Sequence, residues 1–213
     1  MAKLLKSITF PGLEGEYEVV NPMDYGLGTV CQPIGSWNDA LVNGYYKSNG
    51  DAPDNYWWWG EVIAYADNSS VVQHVMRWVD GNISHVWRTG SRDAWGEWEW
   101  ENPPMTSGVE YRTTERWHGK PVYKYLLDFG ALPNNTFKNV NVEIPGVLVI
   151  DVSGFFEAYD TSEGQHASGN VFALGEVDGH WCINRANYFS VAIKTNGDCS
   201  AYRAYLTIKY IKG

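Results

Sequence analysis

Tryptophan constrains this chain more than any other residue type. Ten of its eleven tryptophans lie between Trp37 and Trp117. Each indole ring offers a large apolar area and one N–H group that needs an acceptor when it is buried. So many rings in one stretch predict either a small core built from aromatic side chains or an aromatic surface that binds a ligand.

Composition and charge exclude several classes of protein. The 213 residues suffice for one large or two small domains, and a content of 44% hydrophobic and 15% aromatic residues excludes a disordered chain. The net charge of −9 is concentrated before Val109, where there are 14 acidic and 6 basic residues. Phosphate binding needs clustered Lys and Arg, and no basic stripe is present, so we expect no nucleic-acid partner.

The N-terminal sequence and the cysteines indicate folding in a reducing compartment. The start of the chain, Met1–Lys6, has no long apolar run, so we expect no signal peptide and no membrane insertion. The three cysteines (Cys31, Cys182 and Cys199) are an odd number without metal-ligand spacing. Free buried thiols are the simpler interpretation. A Cys182–Cys199 contact between neighbouring strands is the alternative.

Strand patterns dominate the chain and predict an all-β fold. At the N-terminus, Lys6–Phe10 and Glu16–Val20 predict two short strands around a turn, a piece too small to be stable alone. The stretch Asn21–Gly35 has little periodicity and indicates a linker. We therefore expect residues 1–35 to form a short N-terminal attachment segment.

Residues 36–102 predict a small Trp-rich antiparallel meander, a knob of about four strands. Short turns of the usual length separate the strands. Two prolines, Pro103 and Pro104, end the unit because proline cannot continue a ladder. The strands are expected at Trp58–Ala66, Val71–Val79, Ile83–Arg88 and Ala94–Trp100.

Residues 109–213 predict a C-terminal β-sandwich of jelly-roll type. Tryptophan becomes rare there, and aliphatic residues alternate with polar ones. In the last strand one face carries Tyr202, Ala204, Leu206, Ile208 and Tyr210. A second alternating strand carries Phe189, Val191 and Ile193 on one face. Further strands are expected at Val122–Asp128, Val147–Val152, Phe155–Tyr159 and Val171–Val177.

We expect no catalytic residue, no metal site and no cofactor. The five histidines are spread along the chain, and we expect them to be isolated from one another. Glu97, Glu99 and Glu101 alternate with tryptophans, and a carboxylate pair for glycoside hydrolysis is one interpretation. Alternation along one strand places all three carboxylates on the same face, so a solvated face is the simpler interpretation. The chain is therefore not expected to be an enzyme.

The run Trp57-Trp58-Trp59 has two interpretations. Neighbouring side chains on a strand point to opposite faces, so we expect Trp58 in the core with Trp57 and Trp59 outside. Exposed indole rings stack on the C–H faces of sugars, and Asp54 and Asn55 offer partners for sugar hydroxyls. The candidate glycan site is therefore Trp57, Trp59, Asp54 and Asn55. Burial in a core or against a neighbouring chain is the alternative for the two outer rings.

Several motifs occur along the chain in a recognisable order. The first is Trp37-Asn38-Asp39-Ala40 with Gly44-Tyr45-Tyr46, followed by Trp58–Ile63 and by Arg88-Thr89 with Trp95-Gly96-Glu97-Trp98. This segment resembles the pyocin-knob type of module in the tail fibres of tailed bacteriophages. Lys6–Leu13 is similar to N-terminal segments that attach phage fibres to the virion. Trp117–Tyr123 and Asp128–Asn134 are similar to the start of a C-terminal phage appendage β-domain.

The resemblance implies a homotrimeric virion protein that is assembled in the cytoplasm of a bacterial host. Because no long shaft is present, a short tail fibre, a spike or a head fibre is expected. Other virion proteins would be contacted through Ile8, Phe10, Leu13 and Tyr17, and a host-surface glycan would be the ligand. A baseplate or capsid component without a receptor, and a polysaccharide depolymerase, are the alternatives.

Overall fold

The computed structural model describes residues 7–8, 17–18, 31–65, 69–79, 81–160, 165–167, 180–184, 189–195 and 197–213. Within these ranges nearly every element is a strand, with one 3₁₀ turn at Trp37–Asp39 and no α-helix. The predicted all-β fold is confirmed. The chain divides into two compact units, Met1–Trp98 and Glu99–Gly213. We call these the N-terminal unit and the C-terminal unit.

The first strands of the chain are very short. Strands β1 (Ser7–Ile8) and β2 (Tyr17–Glu18) pair antiparallel, which confirms the predicted pair of strands around a turn. Strand β3 (Gln32–Pro33) lies inside the predicted linker and pairs in parallel with the next strand, so the linker prediction is wrong at these two residues. Proline is tolerated there because β3 is the edge of its sheet.

One sheet forms the body of the N-terminal unit. Its order is β3-β4-β5-β6-β7, and β8 pairs with β7. From β5 to β8 each strand pairs antiparallel with the one before it, which confirms the predicted meander. The strand at Gly44–Ser48, β4, was not predicted from the sequence. The strands are β4 (Gly44–Ser48), β5 (Trp58–Ala64), β6 (Val71–Val79), β7 (Asn82–Ser91) and β8 (Ala94–Trp95).

One face of this sheet is buried and contains aromatic side chains. Trp58 is fully buried, as predicted, and alternation along β5 places Val62 on the same face. Trp37 of the 3₁₀ turn is also fully buried, and its indole N–H donates to the carbonyl of Ser48 over 3.3 Å. The turn begins at Ser36, whose hydroxyl accepts a hydrogen bond from the backbone N–H of Asn38. This half of the chain therefore uses tryptophan for its core as well as for its surface.

The predicted strand Ala94–Trp100 is wrong as one continuous element. It is two short strands, β8 and β9 (Glu99–Trp100), and Trp98 lies between them outside any strand. The indole N–H of Trp98 donates to the carbonyl of Asp51 over 2.9 Å, and its ring packs edge-on against Trp37 at 6.4 Å. These contacts draw Trp98 out of an extended ladder.

Two sheets form the C-terminal unit. The larger has the order β14-β13-β17-β11-β10-β9, and the smaller has the order β12-β16-β15. Strand β9 pairs in parallel with β10 at one position, and the other pairs are antiparallel. The further strands are β10 (Glu110–Trp117), β11 (Lys120–Ala131), β12 (Phe137–Val142), β13 (Val147–Asp160), β14 (Gln165–Ala167), β15 (His180–Asn184), β16 (Phe189–Lys194) and β17 (Tyr202–Lys212).

Side chains from both sheets fill one core, which confirms the predicted sandwich. The larger sheet contributes Leu206 and Ile208 of β17, and the smaller contributes Phe189 and Val191 of β16, all fully buried. The alternation read from the sequence of β17 holds from Ala204 to Tyr210. Burial of the apolar face of each sheet against the other is the main force that holds this unit together.

One strand of the sandwich is longer than expected. Val147–Val152 and Phe155–Tyr159 were predicted as two strands, and they form the single strand β13. Gly154 between them stays in the ladder opposite Leu206, because the long strand β17 offers a partner along the whole length. The predicted strand Val171–Val177 lies outside the described residues.

The cysteines and the hydropathy of the chain add two observations. Cys31 and Cys199 are free thiols of intermediate burial, and the side chain of Cys182 lies outside the described part. In the part of the chain that the structure describes, no helix has the length and apolar character needed to cross a membrane.

Candidate functional site

The carboxylate of Asp54 organises the loop that precedes β5. Its Oδ1 accepts from the indole N–H of Trp58 over 2.9 Å and from the backbone N–H of Tyr56 over 3.1 Å. Its Oδ2 accepts from the guanidinium of Arg77 on β6. The Arg77 guanidinium also lies over the ring of Tyr56 at 4.8 Å. Asp54 is therefore bound to the protein itself, and its effect is to fix the loop around Tyr56 and Trp57.

Large apolar side chains are exposed at one end of this sheet. Because β5, β6 and β7 are antiparallel, the start of β5, the end of β6 and the start of β7 lie at the same end. Tyr56 and Trp57 precede β5 and are 62% and 54% exposed. Trp78 near the end of β6 is 63% exposed and lies opposite Ile83 of β7, which is also exposed. We call Tyr56, Trp57, Trp78, Val79 and Ile83 the aromatic end.

The four residues proposed from the sequence as a glycan site differ in exposure and in their contacts. Trp57 is exposed as part of the aromatic end, and Asn55, two residues before it, is exposed as well. Trp59 is half-buried within the sheet, where it pairs with Lys47 on one side and Met76 on the other. The Asp54 carboxylate accepts hydrogen bonds from Trp58 and Arg77. The structure therefore keeps Trp57 and Asn55 at the end of the sheet and gives Asp54 a supporting position.

Sequence reasoning missed Tyr56, Trp78 and Ile83 as members of this surface. A signal for two of them was present, because Trp78 and Ile83 flank the Asp80-Gly81-Asn82 turn of a predicted hairpin. Residues beside a tight turn are exposed more often than those in the middle of a strand. No local pattern shows that the start of β5 reaches the same place.

The residues proposed for virion attachment are placed only in part. Ile8 and Tyr17 lie opposite each other in the β1–β2 pair. Phe10 and Leu13 lie outside the described residues. Their role stays a prediction.

The glutamates that follow the aromatic motif do not share one solvated face. Glu97 and Glu101 are exposed, whereas the Glu99 side chain is only 14% exposed. The Glu99 carboxylate accepts from Arg112 over 2.9 Å and from Arg116 over 2.6 Å. The predicted solvated face is therefore wrong at Glu99, which ties β9 to β10 through two guanidinium groups.

The expectation that the histidines are isolated is wrong for one pair. His74 on β6 and His85 on β7 stack with ring centroids 5.3 Å apart, and Nε2 of His74 lies 3.1 Å from Nδ1 of His85. Glu61 on β5 lies opposite His74, with Oε1 3.4 Å from Nδ1. Alternation along β5, β6 and β7 places these three side chains on the sheet face away from the Trp58 core.

Comparisons with known proteins give only distant structural likeness. No family model matches the chain, and no curated protein matches it. Two solved fibres of P. aeruginosa, from the R1 and R2 pyocins, are each 10% identical in sequence, with TM-scores of 0.28 and 0.29. Each match covers 85% of this chain and 67% of the fibre chain.

A surface protein of another bacterium is similar to the same degree. The collagen-binding domain of the Erysipelothrix rhusiopathiae surface protein RspB is 12% identical, with a TM-score of 0.29. That match covers 74% of this chain and 50% of the other. At TM-scores of this size the solved structures do not establish a shared fold with this chain.

Proposed function

We propose that this chain is a non-enzymatic adhesion protein of a bacteriophage virion, a short tail fibre, spike or head fibre that binds a glycan of the host surface. The observation that carries the proposal is the aromatic end. Exposed aromatic side chains gathered at one place on a soluble protein are typical of an interaction surface. Indole and phenol rings fit the apolar faces of sugars, and Asn55 beside them offers an amide for the hydroxyls.

The contacts that hold the aromatic end in place favour a binding function over a catalytic one. Asp54 and Arg77 hold the loop in place, so little side-chain entropy is lost when a ligand stacks on Trp57. The carboxylate of Glu99, one of the acids that a glycosidase pair would need, is bound by Arg112 and Arg116. A polysaccharide depolymerase is therefore the less favoured function.

The proposal includes a homotrimer that is attached to other virion proteins through residues 1–35. Three aromatic ends on one particle multiply weak sugar contacts into avidity. Light scattering during size-exclusion chromatography is expected to give three times the mass of one chain. A monomer in solution would contradict the trimer and leave the sugar contact to be judged by the binding experiment.

Glycan binding is tested by replacing exposed tryptophans one at a time. We expect Trp57→Ala and Trp78→Ala each to weaken binding to host cells and to an array of bacterial glycans at least about ten-fold, about 1.4 kcal/mol. Trp117→Ala is the matched control, because Trp117 is also exposed but lies at the end of β10. It is expected to bind like the wild type.

Three outcomes would contradict this function. Equal loss in all three variants would show a general effect of removing an indole ring. Wild-type protein that binds no cell and no glycan would favour a structural baseplate or capsid component. Release of reducing ends from host polysaccharide would favour the depolymerase.

A further inference from the structure

Two imidazole rings from neighbouring strands bring ring nitrogens together on the half-exposed face of the N-terminal sheet. The 3.1 Å between Nε2 of His74 and Nδ1 of His85 is short enough for both nitrogens to reach one atom. Both side chains are half-buried and therefore partly shielded from water. Imidazole nitrogen is a preferred ligand of Zn²⁺ and of other late divalent transition metals.

The side chains around His74 favour metal binding at its Nε2. The Glu61 carboxylate faces its Nδ1 at 3.4 Å. The tautomer with the proton on Nδ1 has its free lone pair on Nε2, the nitrogen that lies 3.1 Å from Nδ1 of His85. A carboxylate behind a ligating imidazole fixes the tautomer and raises the basicity of the ligand nitrogen. The ring of Trp87 stacks on His74 with centroids 3.8 Å apart and planes 6° apart, which restricts rotation of the imidazole.

The spacing of the nitrogens suits one metal ion. Two nitrogens 3.1 Å apart, each bonded to Zn²⁺ at about 2.1 Å, subtend an angle of about 95° at the metal. Small movements of the rings open this angle toward the tetrahedral value.

We propose that His74 and His85 form a binding site for Zn²⁺ or a related late transition-metal ion, with Glu61 as the positioning carboxylate and water completing the coordination shell. The ion cross-links β6 to β7. This is the hairpin whose end carries Trp78 and Ile83, so metal binding stabilises the support of the aromatic end. The proposal does not depend on glycan binding.

The site is tested by calorimetric titration of the tag-free full chain with Zn²⁺. We expect one ion to bind per chain, and His74→Gln and His85→Gln each to weaken binding at least 100-fold. Glu61→Gln is expected to weaken it about ten-fold, because only the supporting hydrogen bond is lost. His118→Gln is the matched control, since His118 lies in the turn after β10 and is expected to leave Zn²⁺ binding unchanged.

A second measurement uses only the wild-type protein, in case a substitution beside Trp87 disturbs folding. In NMR spectra of the imidazole nitrogens, Zn²⁺ is expected to shift the signals of two histidines, assigned to His74 and His85. Zn²⁺ is also expected to raise the melting temperature of the wild type, because an ion that binds only the folded state stabilises it. Absence of Zn²⁺ binding, binding unaffected by His74→Gln in a folded variant, or shifts of other histidines would each overturn the proposal.

Discussion

A single buried amide organises the core of the N-terminal unit. The Gln73 side chain is fully buried, and its Nε2 donates to the carbonyls of Trp37 over 2.6 Å and Ala40 over 3.0 Å. Its Oε1 accepts from Nε of Arg88 over 2.8 Å. The Arg88 guanidinium lies over the ring of Trp95 at 4.3 Å and over the ring of Trp98 at 4.2 Å. Burial lowers the pKa of Arg88 to about 10, opposed by the charge of Asp51, so Arg88 stays charged at neutral pH.

Replacing Gln73 by an apolar side chain of similar size is expected to destabilise this unit. Gln73→Met leaves two backbone carbonyls and the Nε of Arg88 without their partner, which costs roughly 2 kcal/mol or more. Urea unfolding followed by tryptophan fluorescence measures the change. Thr89→Val, an exposed position on β7, is the control and is expected to stay within about 0.5 kcal/mol of the wild type. Equal stability of Gln73→Met and wild type would show that this network is not needed.

At the scale of elements, one carboxylate joins three strands of the larger sandwich sheet. Glu115 of β10 forms ion pairs with Lys124 of β11 at 2.5 Å and with Lys209 of β17 at 3.1 Å. The hydrogen bond from Lys124 is the main reason that the pKa of Glu115 is lowered, with Lys209 adding to the effect and burial opposing it. The folded state therefore binds the proton of Glu115 more weakly than the unfolded chain does.

This lowered pKa predicts how stability changes with pH. The contribution of Glu115 is present above its ordinary pKa of 4.5 and is lost as the pH falls through the lower folded value. We expect Glu115→Gln to reduce stability at pH 7 by about 1 kcal/mol or less, since the pair is partly exposed. The two proteins are expected to converge in acid.

The melting temperature, measured from about pH 3 to about pH 7, tests this prediction. This window includes the usual pKa values of carboxyl groups. Glu143→Gln, at an exposed site, is the control and is expected to follow the wild type throughout. A Glu115→Gln deficit that persists unchanged in acid would assign the loss to packing and not to the ion pairs.

At the scale of the whole molecule, the two units have cores of different composition. The N-terminal unit buries Trp37 and Trp58 around a polar network, whereas the C-terminal unit buries Phe189, Leu206 and Ile208 between two sheets. A core with its own complete set of contacts can unfold as its own cooperative unit.

We therefore expect two transitions in differential scanning calorimetry. Leu206→Ala removes most of a fully buried side chain and is expected to reduce the free energy of unfolding by about 2–5 kcal/mol. It should lower only the transition temperature of the C-terminal unit. Val86→Ala removes part of a fully buried side chain in the N-terminal unit. It is expected to lower only the transition temperature of that unit. A single transition that both substitutions lower would show that the chain unfolds as one.

The sequence predicted a strand correctly where one periodic pattern continued and no distant contact changed the local conformation. The strands around Val75 and Ile208 follow such patterns, and both are observed. The prediction failed where a distant partner decided the local conformation. Trp98 leaves its strand because a carbonyl and an indole from other parts of the chain hold it, and Gly154 stays in a strand because β17 pairs along its whole length.

The sequence by itself determined that this chain is all-β, that the alternating aliphatic strands after Val109 form a sandwich, and that Trp58 is buried. Each of these follows from composition and from alternation along a strand, which are local properties. Only the tertiary structure decided that Tyr56, Trp57 and Trp78 share one end of a sheet and that His74 meets His85. Strand register brings residues together from positions far apart in the chain, and no local pattern records which strand will be the neighbour.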